Sequence, residues 1–241
     1  MSTLFISDLH LDPERPQITD LFMNFLKTEA RVTEALYILG DFFEIWIGDD
    51  DPDPHHARVM AGLRELAESG VPVYFMHGNR DFLIGDKFAS KTRCTLLPDP
   101  YLIKLYGLPT LLMHGDTLCT DDVEYQAFRK IVRDPARQQA FLTKSVEERR
   151  AFMTQARAAT KLHTQTKAEY IMDVNQQAVE AVMRQYSVTW LIHGHTHRPA
   201  IHKFQSGGQD QTRIVLGDWY EQGSMLTIDK NGIRLAALPL T

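Results

Sequence analysis

The sequence predicts an α/β domain, a layered sheet core interrupted by one helical insertion. Three observations predict it. Five short β-rich apolar runs each end in a polar cluster. Stretches with helical spacing lie between the first three. One segment in the second half is strand-poor, helix-rich and basic. Alternating strand and helix argues for helices layered on a sheet.

The elements follow in chain order. TLFI precedes SDLH, ALYIL precedes GDFFE, VPVYFM precedes HGNRD, PTLLM precedes HGD, and VTWLI precedes HGHTH. Apolar runs of this length read as strands buried on both faces. Between them, ITDLFMNFLKTEA puts Leu21, Phe25 and Leu26 on one helical stripe. HARVMAGLRELAESG does the same with Val59, Leu63 and Leu66. Gly70 and Pro72 stop that helix and restart the chain. Residues 122–168 are read as a helical insert over a single domain that spans residues 1–241. Residues 170–186 are read as a core helix with Ile171, Val174, Ala178 and Val182 on its buried stripe. SGGQDQ, near 206–211, reads as a turn or loop. The closing runs TRIVLGDWY and GSMLTIDKNGIRLAAL read as antiparallel, with a hairpin turn at Asn231-Gly232.

Composition narrows the function. The chain has 241 residues, 44% of them apolar and 24% charged, enough for one sizeable core. Only Cys94 and Cys119 occur, too few for a disulfide framework, which implies a reducing compartment. The first apolar run is broken by Asp8 and His10 and lacks the basic start of a signal peptide. No apolar run reaches the ~18 residues of a membrane span, so the expected location is the cytoplasm. A net charge of -5 argues against a protein that coats nucleic acid. Yet residues 129–167 carry ten Lys/Arg against three acids, which suggests that an anionic ligand or membrane surface meets this segment.

In open α/β sheets, ligands bind outside the carboxyl ends of the strands. All five runs place His, Asp or Asn there: Asp8 and His10, Asp41, Asn79, His114, and His195 with His197. Each alone could be a cap or a hydrogen-bonded core residue. Five strand ends in succession make that reading poor. Residues i and i+2 of an extended segment point the same way. Asp8 with His10, and His195 with His197, are therefore expected to grip one site as pairs. Imidazole, carboxylate and one amide, without thiolate, suit Mn²⁺, Fe or catalytic Zn²⁺. Seven ligands exceed one tetrahedral ion and fit two ions about 3.5–4 Å apart, with Asp41 as the shared carboxylate. His55, His56, His77 and His193 are surplus and read as structural.

The set DLH, GDxxE, GNRD, HGD and HGHTH, spread from residue 8 to 197, resembles the calcineurin-like metallophosphoesterases. That resemblance implies a four-layer α/β/β/α sandwich with a dinuclear centre. Asp8, His10, Asp41 and His197 would hold one ion; Asp41, Asn79, His114 and His195 the other. Many members carry a His after the Asn, to help protonate an alkoxide leaving group, where this chain has Arg80. Arg keeps its proton and binds phosphate oxygens bidentately. A phosphate leaving group needs no proton, because its second pKa is about 6. Arg80 therefore favours cleavage of a pyrophosphate link.

YILGDFFEIWIGDDD, HGNRDFLIG, LMHGDTLCTDD, IMDVNQ and LIHGHTHRP resemble, end to end, a branch of this family that acts in lipid A synthesis. That implies two Mn²⁺ ions and hydroxide attack on the uridylyl phosphorus of a lipid-linked UDP-sugar, with Asp41, Asn79, Arg80 and His114 in catalytic roles. It further implies a monomer, peripheral on the anionic cytoplasmic face of the inner membrane, whose helical cap holds the acyl chains. Substrate contacts carried over by position are Asn79, Arg80, Asp122, Thr160, Thr164, Lys167 and His195. Thr160 and Thr164 stand where the family has Ser and Asn. The rival readings are a phosphoesterase for another substrate and a metal-free scaffold. Arg80 speaks against the first and seven intact ligands against the second.

Overall fold

The computed structural model describes residues 2–164 and 173–240; the side chains of 158–164 lie outside the description. In chain order the elements are β1 (Thr3–Ile6), α1 (Pro16–Lys27), β2 (Ala35–Leu39), α2 (Pro54–Glu68), β3 (Val73–Met76) and α3 (Asp86–Thr92). Then follow β4 (Thr95–Leu97), β5 (Tyr101–Leu105), β6 (Leu108–Met113), α4 (Val123–Val132), α5 (Pro135–Leu142) and α6 (Val146–Thr164). The chain closes with α7 (Gln176–Gln185), β7 (Trp190–His193), β8 (Ala200–Ser206), β9 (Gln209–Val215), β10 (Gly223–Asp229) and β11 (Gly232–Leu238).

Two sheets result. One has the order β11-β10-β1-β2-β3-β4, with β1 to β4 parallel and β10 antiparallel to β1. The other has the order β5-β6-β7-β9-β8, with β6, β7 and β9 parallel. Three apolar layers separate four structural ones. Phe22, Phe25, Val59, Leu63 and Phe75 fill the space between α1, α2, α3 and the first sheet. Phe5, Leu39, Met76, Leu112, Ile192 and Ile214 fill the space between the sheets. Leu111, Leu191, Val179 and Met183 join the second sheet to α7. The strands serve two layers at once because side chains alternate. Leu4 and Ile6 point outward and Phe5 inward, while Leu111 and Leu112 divide the same way. Covering both faces explains the unbroken apolar runs. Each such Leu or Phe stabilises the fold by about 1.5–3 kcal/mol.

Three details differ from expectation. The closing runs do not pair with each other: β9 lies parallel to β7 and antiparallel to β8, whereas β10 and β11 form a hairpin in the other sheet. That hairpin turns at Lys230-Asn231, because Asp229 pairs with Gly232 and its carboxylate accepts from the Asn231 and Gly232 amides. Finally, α7 begins at Gln176 rather than near 170. Asn175 caps it, accepting from the Gln177 and Ala178 amides at 2.9 and 3.2 Å.

The basic segment has its own logic. Neither α4 nor α5 buries a residue, and Val123, Phe128, Ile131, Leu142 and Phe152 are exposed. Polar contacts attach these helices instead. Arg149 is buried and grips Asp50 through both terminal nitrogens, at 2.8 and 2.5 Å, and the Ile47 carbonyl at 2.6 Å. Arg150 meets Asp51 at 2.7 Å, and Arg129 meets Asp116 at 2.7 Å. Arg133 donates to the Gly78 carbonyl at 2.8 Å. Part of the positive excess thus serves the acidic core. No helix among the described residues is long and apolar enough to cross a membrane.

Candidate metal centre

The strand ends of both sheets meet at one edge, and backbone bonds knit them together. Asp8 N donates to the Gly40 carbonyl, His10 N to the Asp41 carbonyl and Gly194 N to the His114 carbonyl, at 2.9–3.0 Å. Two clusters form there: Asp8, His10 and His197, and Asp41, His114 and His195. Within each, the potential ligand atoms lie within 4.8 Å of one another. Asp41 stands between them. Its Oδ2 is 3.9 Å from His10 Nε2 and its Oδ1 is 3.7 Å from His114 Nε2. Asn79 Oδ1 lies 3.1 Å from His114 Nε2. All seven residues singled out at the strand ends therefore gather in one place.

The pairing by two-residue spacing is only half right. Asp8 and His10 share a cluster, but His195 and His197 go to different ones, the division that the family resemblance implied. The premise of extended backbone fails. Asp8, His10, Asp41, His195 and His197 have φ of 55°, 47°, 50°, 69° and 55°. Non-glycine residues reach this left-handed region at a cost of about 1–3 kcal/mol each, and such strain gathers at functional sites. His193, the third member of HGHTH, points away, with Nδ1 bonded to the Gly194 carbonyl and burial pushing its pKa down to about 3.

Glycine is required for close approach at two points. A Cβ on Gly78 would lie 2.1 Å from both Asp41 N and Asp41 Oδ1. One on Gly194 would lie 2.3 Å from Asp8 Oδ2 and Ser7 Oγ.

The residues behind the clusters were not assigned from sequence. Glu44 sits 2.8 Å from His10 Nδ1, Asp218 sits 3.3 Å from His197 Nδ1, and the Leu39 carbonyl sits 2.9 Å from His114 Nδ1. Glu44 and the Leu39 carbonyl accept at Nδ1 and Asp218 stands beside it as an ion pair, which leaves Nε2 facing inward, the arrangement that orients imidazole ligands. Glu44 also holds Arg80 at 3.3 Å, and the Arg80 amide donates to Asp41 Oδ1 at 2.8 Å. Burial would raise the Glu44 pKa, but the His10 hydrogen bond and the Arg80 charge bring it down to about 2. Tyr125, from α4, donates to Asp116 at 2.7 Å and stacks on His195 with centroids 5.9 Å apart. Arg157, from α6, shares its surroundings with Arg80. Burial and that second guanidinium lower its pKa to about 10. GDFFE contained Glu44, and HGD contained Asp116; nothing in the spacing pointed to Asp218, Tyr125 or Arg157.

The donors fit divalent cations. Asp8 Oδ1 is buried and accepts no hydrogen bond, while His10 Nε2 and His197 Nε2 confront each other at 3.3 Å. Burial opposes ionisation of Asp8, yet His197, with Nε2 3.4 Å from Oδ1, and the neighbouring imidazoles hold it well below the carboxylate range. Burial opposes protonation of His114, but the carboxylates of Asp41, Asp116 and Asp8 lift its pKa to about 9. Burial and His114 beside it lower His195 to about 4. Crowded carboxylates and imidazoles of this kind call for positive charge at their centre.

Of the substrate positions expected from sequence, Asn79, Arg80 and His195 lie at this centre. Asp122 caps α4, accepting from the Tyr125 amide at 3.0 Å. Lys167 and the side chains of Thr160 and Thr164 lie outside the described residues.

Comparison with known proteins gives three findings. The family model described as calcineurin-like phosphoesterase matches residues 1–199. The chain is 55% identical to a UDP-2,3-diacylglucosamine hydrolase of Xanthomonas oryzae pv. oryzae, covering 100% of both chains. It is 54% identical to one of Stenotrophomonas maltophilia, covering 99% of both. Among solved structures, a novel archaeal phosphodiesterase superposes with a TM-score of 0.51 at 13% identity, over 99% of this chain and 100% of that one. That likeness concerns the fold alone.

Proposed function

Because the chain belongs to the calcineurin-like phosphoesterase family, we propose that it hydrolyses the pyrophosphate bond of UDP-2,3-diacylglucosamine, yielding UMP and 2,3-diacylglucosamine 1-phosphate. Identity of 55% along the whole length of a hydrolase of that substrate carries this reading. The site supports it, since its two clusters of carboxylate and imidazole donors can hold the cations that activate water toward a phosphorus centre.

Asp8, His10, Asp41 and His197 would hold one divalent cation, and Asp41, Asn79, His114 and His195 a second. Mn²⁺ matches this set of oxygen and imidazole donors. When bound, such a pair supplies an activated water and Lewis acidity toward phosphoryl oxygens. The protein's own groups do the rest. Glu44 fixes the His10 ring and aims Arg80 in one contact pair. Arg80 and Arg157, crowded together with like charge, are relieved by phosphate oxygens settling between them. Hydrolysis would leave the water oxygen on the uridylyl phosphorus and its proton in solvent, as the bond from that phosphorus to the bridging oxygen breaks. The departing sugar 1-phosphate takes the electron pair and needs no proton from Arg80.

Residues 122–168 act as a cap over the lipid. The exposed Phe128, Ile131 and Phe152 offer apolar surface to acyl chains. The exposed Lys130, Arg137 and Lys144 face the anionic cytoplasmic leaflet of the inner membrane, where a monomer docks peripherally.

Hydrolysis in oxygen-18 water with substrate in detergent tests this. Label is expected in UMP. Label in the lipid product, or no turnover of this substrate, overturns the assignment.

A further inference from the structure

A third cluster lies outside the centre, at the start of α2. Asp51, Asp53 and His56 bring one ligand-type atom each to within 4.8 Å of one another. His56 is only 6% exposed, and its ring packs against Phe43 and Trp46 with centroids 4.6 and 4.8 Å away. Its Nδ1 is buried and has no hydrogen-bond partner. That nitrogen faces Asp51 Oδ2 at 4.0 Å, beyond hydrogen-bonding range.

Each member keeps a spare donor atom after meeting its structural duty. Asp51 gives Oδ1 to Arg150 at 2.7 Å, which leaves Oδ2 toward His56. Asp53 gives Oδ1 to the His55 amide as the cap of α2, at 2.8 Å, and its Oδ2 accepts no hydrogen bond among the described residues. Burial outweighs both carboxylates and lowers the His56 pKa, so the imidazole is neutral near pH 7. A ring N–H turned toward Asp51 would close to a hydrogen bond; a lone pair facing a carboxylate oxygen across this gap has no partner at all. An unpartnered buried nitrogen beside two carboxylates is a chelating arrangement, and its two oxygens and one nitrogen match a borderline divalent ion completed by water.

We propose that Asp51, Asp53 and His56 form a third divalent-cation site, separate from the central pair, that takes an ion of the Mn²⁺ or Zn²⁺ class. Its place in the fold gives it a use. Asp50 and Asp51 receive Arg149 and Arg150 of α6. An ion on Asp51 fixes the loop on which that helix stands, and α6 also carries Arg157.

Titration of metal-depleted, full-length protein with Mn²⁺ tests this, counting bound metal after gel filtration and recording electron paramagnetic resonance. The expected result is three equivalents, the third with the six-line spectrum of an isolated Mn²⁺ beside the exchange-coupled signal of the pair. His56→Phe keeps an aromatic ring between Phe43 and Trp46 but removes both nitrogens. It should lose one equivalent and the six-line signal while keeping the coupled signal and hydrolysis. Asp53→Asn, which preserves the helix cap, should weaken the third equivalent at least about tenfold. Two equivalents at saturation in the wild type, or a third that survives both substitutions, overturns the proposal. Loss of the coupled signal alone would count against the central pair and leave this site standing.

Discussion

Loading the metal-free protein with Mn²⁺ should expel a proton from His114. The carboxylates of Asp41, Asp116 and Asp8 overcome burial and raise its pKa from 6.5 to about 9. At pH 7.5 such a group is about 97% protonated. An imidazole must be neutral to ligate a metal, so filling the Asp41, His114 and His195 cluster releases about one proton per chain from this residue. The apparent affinity at pH 7.5 is then about 30-fold below its value at high pH, and it rises about tenfold from pH 7 to 8 and about fivefold from 8 to 9. His197, raised by the facing Asp8 carboxylate despite burial, adds to the release. The same shift governs metal-free stability. A pKa raised on folding contributes stability that is fully present below pH 6.5 and lost as pH rises through 9, about 3 kcal/mol in all. Calorimetric titration in buffers of different ionisation enthalpy measures the protons directly. Release near zero at pH 7.5, or an affinity flat from pH 7 to 9, refutes the reasoning.

Other substitutions test other parts of the site. Asp41→Ala removes the carboxylate facing both clusters and should lower kcat by about 10³-fold or more while the circular dichroism spectrum is unchanged. Arg80→Ala should cost about 10²-fold in kcat/KM, and Lys should restore little because a single ammonium cannot reproduce bidentate contact. Gly78→Ala drives a methyl group into Asp41; a loss of about 1–3 kcal/mol in chemical denaturation and loss of activity should appear together. Arg149→Met removes the paired contact with Asp50 and the bond to Ile47. With Asp50 half exposed, the cost is about 1–2 kcal/mol, and limited proteolysis should cut within 123–157 sooner while the sheets stay intact.

The strands that place the site were legible because they are buried on both faces. The ones missed lack that property. β8 exposes most of its length on a sheet edge, β5 alternates, and β4 has three residues. All seven strand-end residues converge, yet their backbone conformation was misread. Short polar residues after a strand look the same in sequence whether the chain stays extended or turns left-handed. The only hint is that Asp and His tolerate that region better than most residues. The division of His195 from His197 follows from this: two-residue spacing did not give it, although the family resemblance implied it. Asp218 and Tyr125 act through neighbours distant in sequence, so no local pattern could announce them, whereas Glu44 stood in GDFFE but its contact with His10 depends on a loop 34 residues away. The basic stretch was visible as charge, but its inward salt bridges depend on acids that arrive from other loops.

Five side chains at the centre sit on backbone that L-residues resist. The hub of this molecule is accordingly its least comfortable part, held in shape by the sheets around it rather than by its own preferences. Glycine at any of those five places would ease the chain and silence the chemistry in one stroke. Drift toward greater robustness and drift toward inactivity therefore run in the same direction here, and only the demand for turnover keeps the five side chains where they are.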